Sequence, residues 1–224
     1  MFVRVVSWFM AMIFDDFLSA AGAALGLLES AEVAGRWADP SACAGFSVGG
    51  LAAHLGWQVQ SARWAVESPR PAAGADVTDL TGHYARAEWL GAQVEASVNV
   101  GIRDAGEGRA QAGAAEQARL TREAGDALVG HFAVLDPEEV IAVPWIEGRA
   151  MRAADVLATR VLELLIHTDD LAVSVGVATP AASDEAYGRV IAILSGISVR
   201  RFGPLPLLRA LSRAERAPES VAVF

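Results

Sequence analysis

"VLELLIHTDDLA", residues 161–172, sets a glutamate, a histidine and two aspartates into a run that is otherwise almost wholly aliphatic. Positions three or four apart share one face of an α-helix, so Glu163, His167 and Asp170 line up, with Thr159 and Arg160 one turn earlier. Val156, Leu157, Val161, Leu162, Leu164, Leu165, Ile166 and Leu171 surround that stripe and leave little of the helix for solvent. A charge buried alone costs several kcal/mol, on the order of ~3 or more, so the stripe needs water, a partner or a metal ion.

The periodicity around this helix predicts more of the same. A helix over 15–34 carries Phe17, Leu18, Ala21, Ala24, Leu25 and Leu28 as its apolar stripe, and "ADPSACAGF" breaks it. Ser47 caps a second helix that runs with His54, Trp57 and Trp64 to Pro69. A third helical region starts near Thr78 and holds Tyr84 and Trp89; the glycines of "NVGIRDAGEGRA" predict a break. Further helices are expected over 110–132, over 152–175 up to Gly176, and from Ser183 to about Arg201, with a short one through Arg213 and a strand-like "SVAVF". Strand signals are otherwise nearly absent. Long helices with substantial connections predict an all-α bundle over 14–201, an N-terminal extension or early helix over 1–13, and a short helix and tail over 202–224.

Composition narrows the function. The 224 residues are 53% hydrophobic, enough for one substantial core. Acids outnumber bases, 27 to 18, for a formal charge of −9, and with no lysine every fixed side-chain cation is arginine. Schiff-base chemistry on lysine is excluded, and an acidic chain without a basic run is a poor partner for nucleic acid. Cys43 is the only cysteine, so no intrachain disulfide or multi-cysteine cluster forms, which fits a reducing compartment. The apolar opening from Phe2 to Phe14 is shorter than the ~20 residues a bilayer requires. Arg4 and "LSAAGAA" give it some likeness to a signal peptide, but an extension with Met10 or Met12 as the natural start fits better, with the cytoplasm as the expected location and no membrane partner. An acidic bundle leaves a homodimer open.

Glu-x-x-x-His presents one oxygen and one nitrogen a helical turn apart, within reach of one divalent ion at ~2.0–2.2 Å. Two ligands are not a site, and the stripe read alone equally suits the wet face of an amphipathic helix. His54 in "GLAAHLGW" is the candidate third ligand, because its small neighbours let a facing helix approach; a hydrogen-bonded core histidine is the alternative. His83 in "TGHYARAE" and His131 in "LVGHFAV" compete from less favourable surroundings.

"FSVGGLAAHL" followed about a hundred residues later by "TRVLELLIHTDDLA" resembles the mycothiol-dependent maleylpyruvate isomerase family, whose N-terminal domain has the DinB-like four-helix fold. The resemblance covers roughly residues 15–201 and implies a divalent metal, usually described as zinc, held by His54, Glu163 and His167. A two-histidine, one-carboxylate set also suits nickel or iron. Asp170, one turn on from His167, is placed to accept its second ring N–H, with a cap or surface ion pair as the other reading. Arg160 is expected to pair with Glu163 or another acid.

Three protein ligands leave a tetrahedral ion one open position, the mark of a catalytic site. The resemblance fills it with mycothiol, a low-molecular-weight thiol, and implies isomerisation of a small electrophile or thiol transfer to one. Cys43, in a loop away from the proposed ligands, is not needed. In "PWIEGRAMR", Trp145, Arg149 and Arg152 stand where the metal-bearing helix begins, and the two arginines, with Arg160, are the candidates for meeting an anionic substrate. Fuller members of the family continue into an α/β domain that helps build the substrate site, whereas this sequence stops at Phe224, so the substrate stays open. A non-catalytic binding module and a metal-dependent hydrolase using bound water are the competing functions.

Overall fold

Apolar stripes at helical spacing bury themselves against one another, and four long helices do so here. A computed structural model describes residues 13–223 of the chain. Helix α1 is Ile13–Leu28, α2 is Ala31–Gly35, α3 is Val48–Glu67, α4 is Leu80–Ala85, α5 is Ser97–Ala110 and α6 is Ala114–Phe132. They are followed by α7 at Ala153–Val175, α8 at Asp184–Phe202 and α9 at Pro204–Ser212. Four of them close a ring: α1 packs on α7, α7 on α3, α3 on α6 and α6 back on α1. Helix α8 lies outside on α7 and α1, and α9 folds back on α8. The architecture is the expected all-α, DinB-like bundle with additional C-terminal helices. The extension expected over 1–13 lies outside the described residues apart from Ile13.

Several local expectations need correction. The helix expected over 15–34 is two helices, because the Ser30 side chain accepts from the Val33 N–H at 3.2 Å and caps a new turn. The third helical region is only α4, capped by Asp79, and the remainder to residue 96 is turns. The glycine-rich stretch expected to break is helix α5. "SVAVF" forms no strand among the described residues; the Ser198 hydroxyl and Arg201 donate instead to the carbonyls of Val221 and Val223. A three-stranded sheet, β1 (Asp76–Val77), β2 (Val140–Ala142) and β3 (Arg149–Arg152), went unread. Central β3 pairs parallel to β1 and antiparallel to β2. Strands of two to four residues leave too short a period-two pattern to read, yet β3 runs straight into α7 and sets where that helix begins. The first N–H groups of the helix, those of Ala153 and Ala154, donate to the carbonyls of Glu139 and Pro137.

The small residues of "SVGGLAAHL" do let a facing helix approach, and it is α5. A Cβ on Gly106 of α5 would stand 2.8 Å from the Gly50 carbonyl oxygen and 2.7 Å from the Phe46 ring. Glu107 then reaches the start of α3, where the Ser47 N–H donates to it at 2.7 Å and the Ser47 hydroxyl at 2.8 Å. This clamp fixes the end of α3 from which His54 projects. Gly106→Ala gains about 0.5–1 kcal/mol of helix propensity but drives a methyl into backbone, a cost of about 1–3 kcal/mol. It is expected to lower stability in denaturant unfolding, whereas Gly101→Ala in the same helix, with open space around it, is expected to raise stability.

Candidate metal centre

The contact between α3 and α7 brings the three candidate ligands together. His54 projects from α3, Glu163 and His167 from successive turns of α7, and their donor atoms all lie within 4.8 Å of one another. Glu163 Oε2 stands 3.2 Å from His167 Nε2 and 4.0 Å from His54 Nε2, and the two imidazole rings meet edge to face at 4.9 Å between centroids. A tetrahedral ion with bonds of ~2.1 Å needs donors roughly 3.4 Å apart. One pair is already at that separation and another is close to it. Two neutral imidazoles and one carboxylate are also the donor chemistry that zinc and its neighbours take. The residues present therefore fit a divalent ion.

The three side chains are 13–16% exposed, so the stripe is not the wet face of an amphipathic helix. Asp170 completes it: its Oδ2 lies 3.0 Å from His167 Nδ1, which leaves Nε2 turned toward Glu163. His54 is oriented from its own helix by Gln58, whose amide nitrogen sits 3.0 Å from the His54 carbonyl oxygen and 3.2 Å from Nε2. The Gln58 oxygen in turn accepts from Arg160 at 2.6 Å. Arg160 also donates to Thr159 Oγ1 at 3.1 Å and lies over the Trp145 ring at 4.9 Å.

Charge follows burial. Desolvation, reinforced by the charge of His167, drives the His54 pKa down to about 3, so this ring is neutral at any ordinary pH, and its Nε2 lone pair, faced by the Gln58 amide nitrogen at 3.2 Å, is the one a metal ion would take over. Burial opposes the charge on His167 as well, but the carboxylates of Asp170 and Glu163 on either side prevail and raise it to about 9. Burial alone would raise Glu163, yet the hydrogen bond and charge of His167, with the charge of Arg160, hold it at about 2. Without metal the stripe is a buried ion pair, with a proton on His167 where a cation would otherwise neutralise the carboxylates.

The structure corrects the remaining assignments. Arg160 forms no carboxylate ion pair among the described residues; a glutamine and an indole hold it. Arg152 is committed to Asp155 at 2.9 Å and Glu138 at 3.4 Å, which ties β3 to the start of α7 rather than offering a free cation to a substrate. Arg149 sits 3.9 Å from Asp76 on the neighbouring strand. Trp145 is the loop anchor, with Arg160 and Trp64 against it. His131 pairs with Glu67 at the surface, and His83 is buried on α4, so neither joins the ligand set. Burial and the charges of Arg160 and Arg149 push the His83 pKa down to about 4.

Cys43 lies nearer than its loop position suggests. The Ala42 N–H donates to Ser174 Oγ on α7 at 2.8 Å, and the Phe46 ring lies 5.6 Å from His54, so this loop covers the ligand end of the bundle. Burial, with the Asp170 carboxylate, raises the Cys43 thiol above its ordinary value, and that makes it a poor nucleophile. Gln58 escaped sequence reading although it stands one turn from His54 on the same face, a spacing that marks it as a candidate orienting residue. Phe46 carried no such signal.

Metal binding must expel the His167 proton. Below about pH 9 the apparent affinity is expected to fall roughly tenfold per pH unit of acidification, and calorimetry in buffers of different ionisation enthalpy at pH 7 should count about one proton released per ion bound. His54→Ala and Glu163→Ala should each abolish stoichiometric loading in metal analysis. Asp170→Asn should weaken affinity by about 10–100-fold without removing a ligand.

A search of curated proteins and a search of solved structures each returned no match. A family model does match: that of the mycothiol maleylpyruvate isomerase N-terminal domain, over residues 17–172, from Phe17 in α1 through Ala172 in α7. With all three candidate ligands inside the matched segment, on two helices that pack directly against each other, the chain belongs to the mycothiol maleylpyruvate isomerase N-terminal domain family.

Proposed function

We propose that this protein is a metal-dependent enzyme that uses a low-molecular-weight thiol, mycothiol or a close relative, to isomerise a small electrophile or to transfer the thiol to it. The observation that carries the reading is the set His54, Glu163 and His167, three donors converging from two helices with no fourth protein ligand among the described residues. Zinc is the proposed ion. Bound there, it would keep a thiol as its thiolate at neutral pH and accept it at the open position.

The chain's own side chains support that chemistry. Asp170 and Glu163 against Arg160 leave one net negative charge, so a divalent ion makes the centre cationic overall and favours an anionic sulfur. Asp170 holds the ring N–H of His167 and so keeps Nε2 as the ligand atom. Gln58 and Trp145 fix the Arg160 guanidinium beside the carboxylate, where its charge cannot swing away. Addition of a thiolate to a conjugated double bond forms a carbon–sulfur bond at the expense of the π bond, permits rotation, and on elimination restores both thiolate and double bond. Burial and the Asp170 carboxylate disfavour the Cys43 thiolate, which is in keeping with a thiol from outside the chain.

The test is to incubate zinc-loaded protein with mycothiol and a panel of activated alkenes and epoxides, maleylpyruvate among them, following thiol and electrophile together. Turnover is expected only with both metal and thiol present and is expected to vanish in Glu163→Ala. Turnover without thiol would select the hydrolase, and tight zinc binding with no thiol-dependent reaction across the panel would select a binding module.

A further inference from the structure

Opposite the metal residues the fold leaves a second cavity. It has a volume of about 880 Å³ and lies between α4, α7 and α8, with none of the three candidate ligands in its wall. Ala154, Asp155 and Ala158 line it from α7 and stand about 80–180° round that helix from Glu163, at 100° per residue. Helix α7 lies between its own share of the wall and the candidate ligands, while Tyr84 of α4 is near enough to feel the charge of Glu163. The α8 wall runs from Arg189 to Arg201, about 18 Å at 1.5 Å per residue, so the space is an elongated groove.

Small side chains make the groove. Ala154 and Ala158 on α7 face Ala192 and Gly196 on α8, where larger residues would close the two helices together. Protein interiors are otherwise close-packed, and apolar surface left open forfeits about 25 cal/mol for each Å². Leu80, Leu90, Ile193 and Ile197 give the remaining wall its aliphatic character. Asp155 and Arg189 also line it but are paired with Arg152 and Asp16, and further charge lies where α8 ends. Arg200 pairs with nothing among the described residues, and Arg201 donates to the Val223 carbonyl but meets no carboxylate there. In a chain with a formal charge of −9, two adjacent guanidiniums with no acidic partner among the described residues, at the end of an apolar groove, are a complement to an anion.

We propose that this groove is a second binding site, for a monoanionic amphiphile whose apolar body lies along α8 and whose acid group meets Arg200 and Arg201. The site is independent of the metal centre and of the thiol chemistry proposed there. Its chemistry is that of a medium-chain carboxylic acid rather than a short diacid, because the aliphatic wall is far longer than a small dianion can cover.

The probe is decanoate, titrated calorimetrically into the full, zinc-loaded chain, with decanol as the uncharged counterpart. Saturable one-to-one binding of decanoate is expected, with decanol weaker by about tenfold or more, the worth of a charge-assisted hydrogen bond. Gly196→Phe fills the groove from a position with open space around it and should abolish binding. Ala192→Trp does the same from the next turn, should the first variant fold poorly. Arg200→Glu/Arg201→Glu should weaken decanoate by about tenfold or more and leave decanol unchanged. Zinc content should be the same in every variant. The proposal is overturned if decanoate shows no saturable binding, if binding survives both groove-filling variants, or if the wild type is a dimer that Gly196→Phe turns into a monomer, since a second copy would then occupy the groove.

Discussion

A carboxylate held inside a helical bundle is the constraint on which the rest of this structure depends. Glu163 sits in the middle of α7 with aliphatic residues on both sides, and its charge survives there only because groups from two helices answer it. His167 lies one turn on, His54 comes across from α3, and Arg160 adds its charge from one turn before. Breaking such a set by removing one partner is costly, about 3–5 kcal/mol for a buried pair, because it strands the charge that remains. The packing of α3 on α7 and the Glu107 clamp at the start of α3 are thus part of the electrostatics as much as of the fold. They bring the imidazole to the carboxylate.

Much of this was legible in the sequence, for reasons that differ by element. The long helices show because apolar residues recur at three- and four-residue spacing over many turns. Ser47 and Ser183 show because a hydroxyl before an apolar run satisfies the first free N–H groups. The candidate ligands Glu163 and His167 could be paired, with Asp170 beside them, because helix geometry alone puts the three on one face. His54 could not be joined to them by local rules, since nothing within a segment says which helices will touch; the likeness to a known family supplied that link. Helix α5 was missed because its three glycines look like a break. Of these, Gly106 is an interhelical contact, and only the position of α3 explains it.

The failures around arginine have a common physical cause. From sequence, a guanidinium near a carboxylate is read as its ion-pair partner, and that reading put Arg160 on Glu163. Inside the bundle, metal-ligand geometry and a salt bridge compete for the same oxygens. Arg160 is instead held by an amide oxygen and an aromatic face, near enough to stabilise the charge on Glu163 and far enough to leave its oxygens free. Arg152 shows the reverse: as a cation at the foot of the helix that carries Glu163 and His167 it reads as a substrate anchor, but Asp155 and Glu138 already neutralise it. A cation's role follows from which acids reach it first.

Helix α7 therefore has two differently specified faces. One carries long polar side chains whose charges must be matched by groups on α3, and there the packing is tight and the hydrogen bonds are directional. The other carries alanine at positions 154 and 158, so α8 cannot interdigitate with it as α3 does, and a void opens along that contact. Loss of buried contact on this scale would weaken the attachment of α8 if nothing else held it. The Asp16–Arg189 ion pair at 2.7 Å, at one end of the groove, and the Ser183 N–H donating to Ser19 on α1 at 2.8 Å supply that hold. Helix α8 is pinned to α1 while standing off from α7, and this is the arrangement that keeps a groove open instead of letting it collapse.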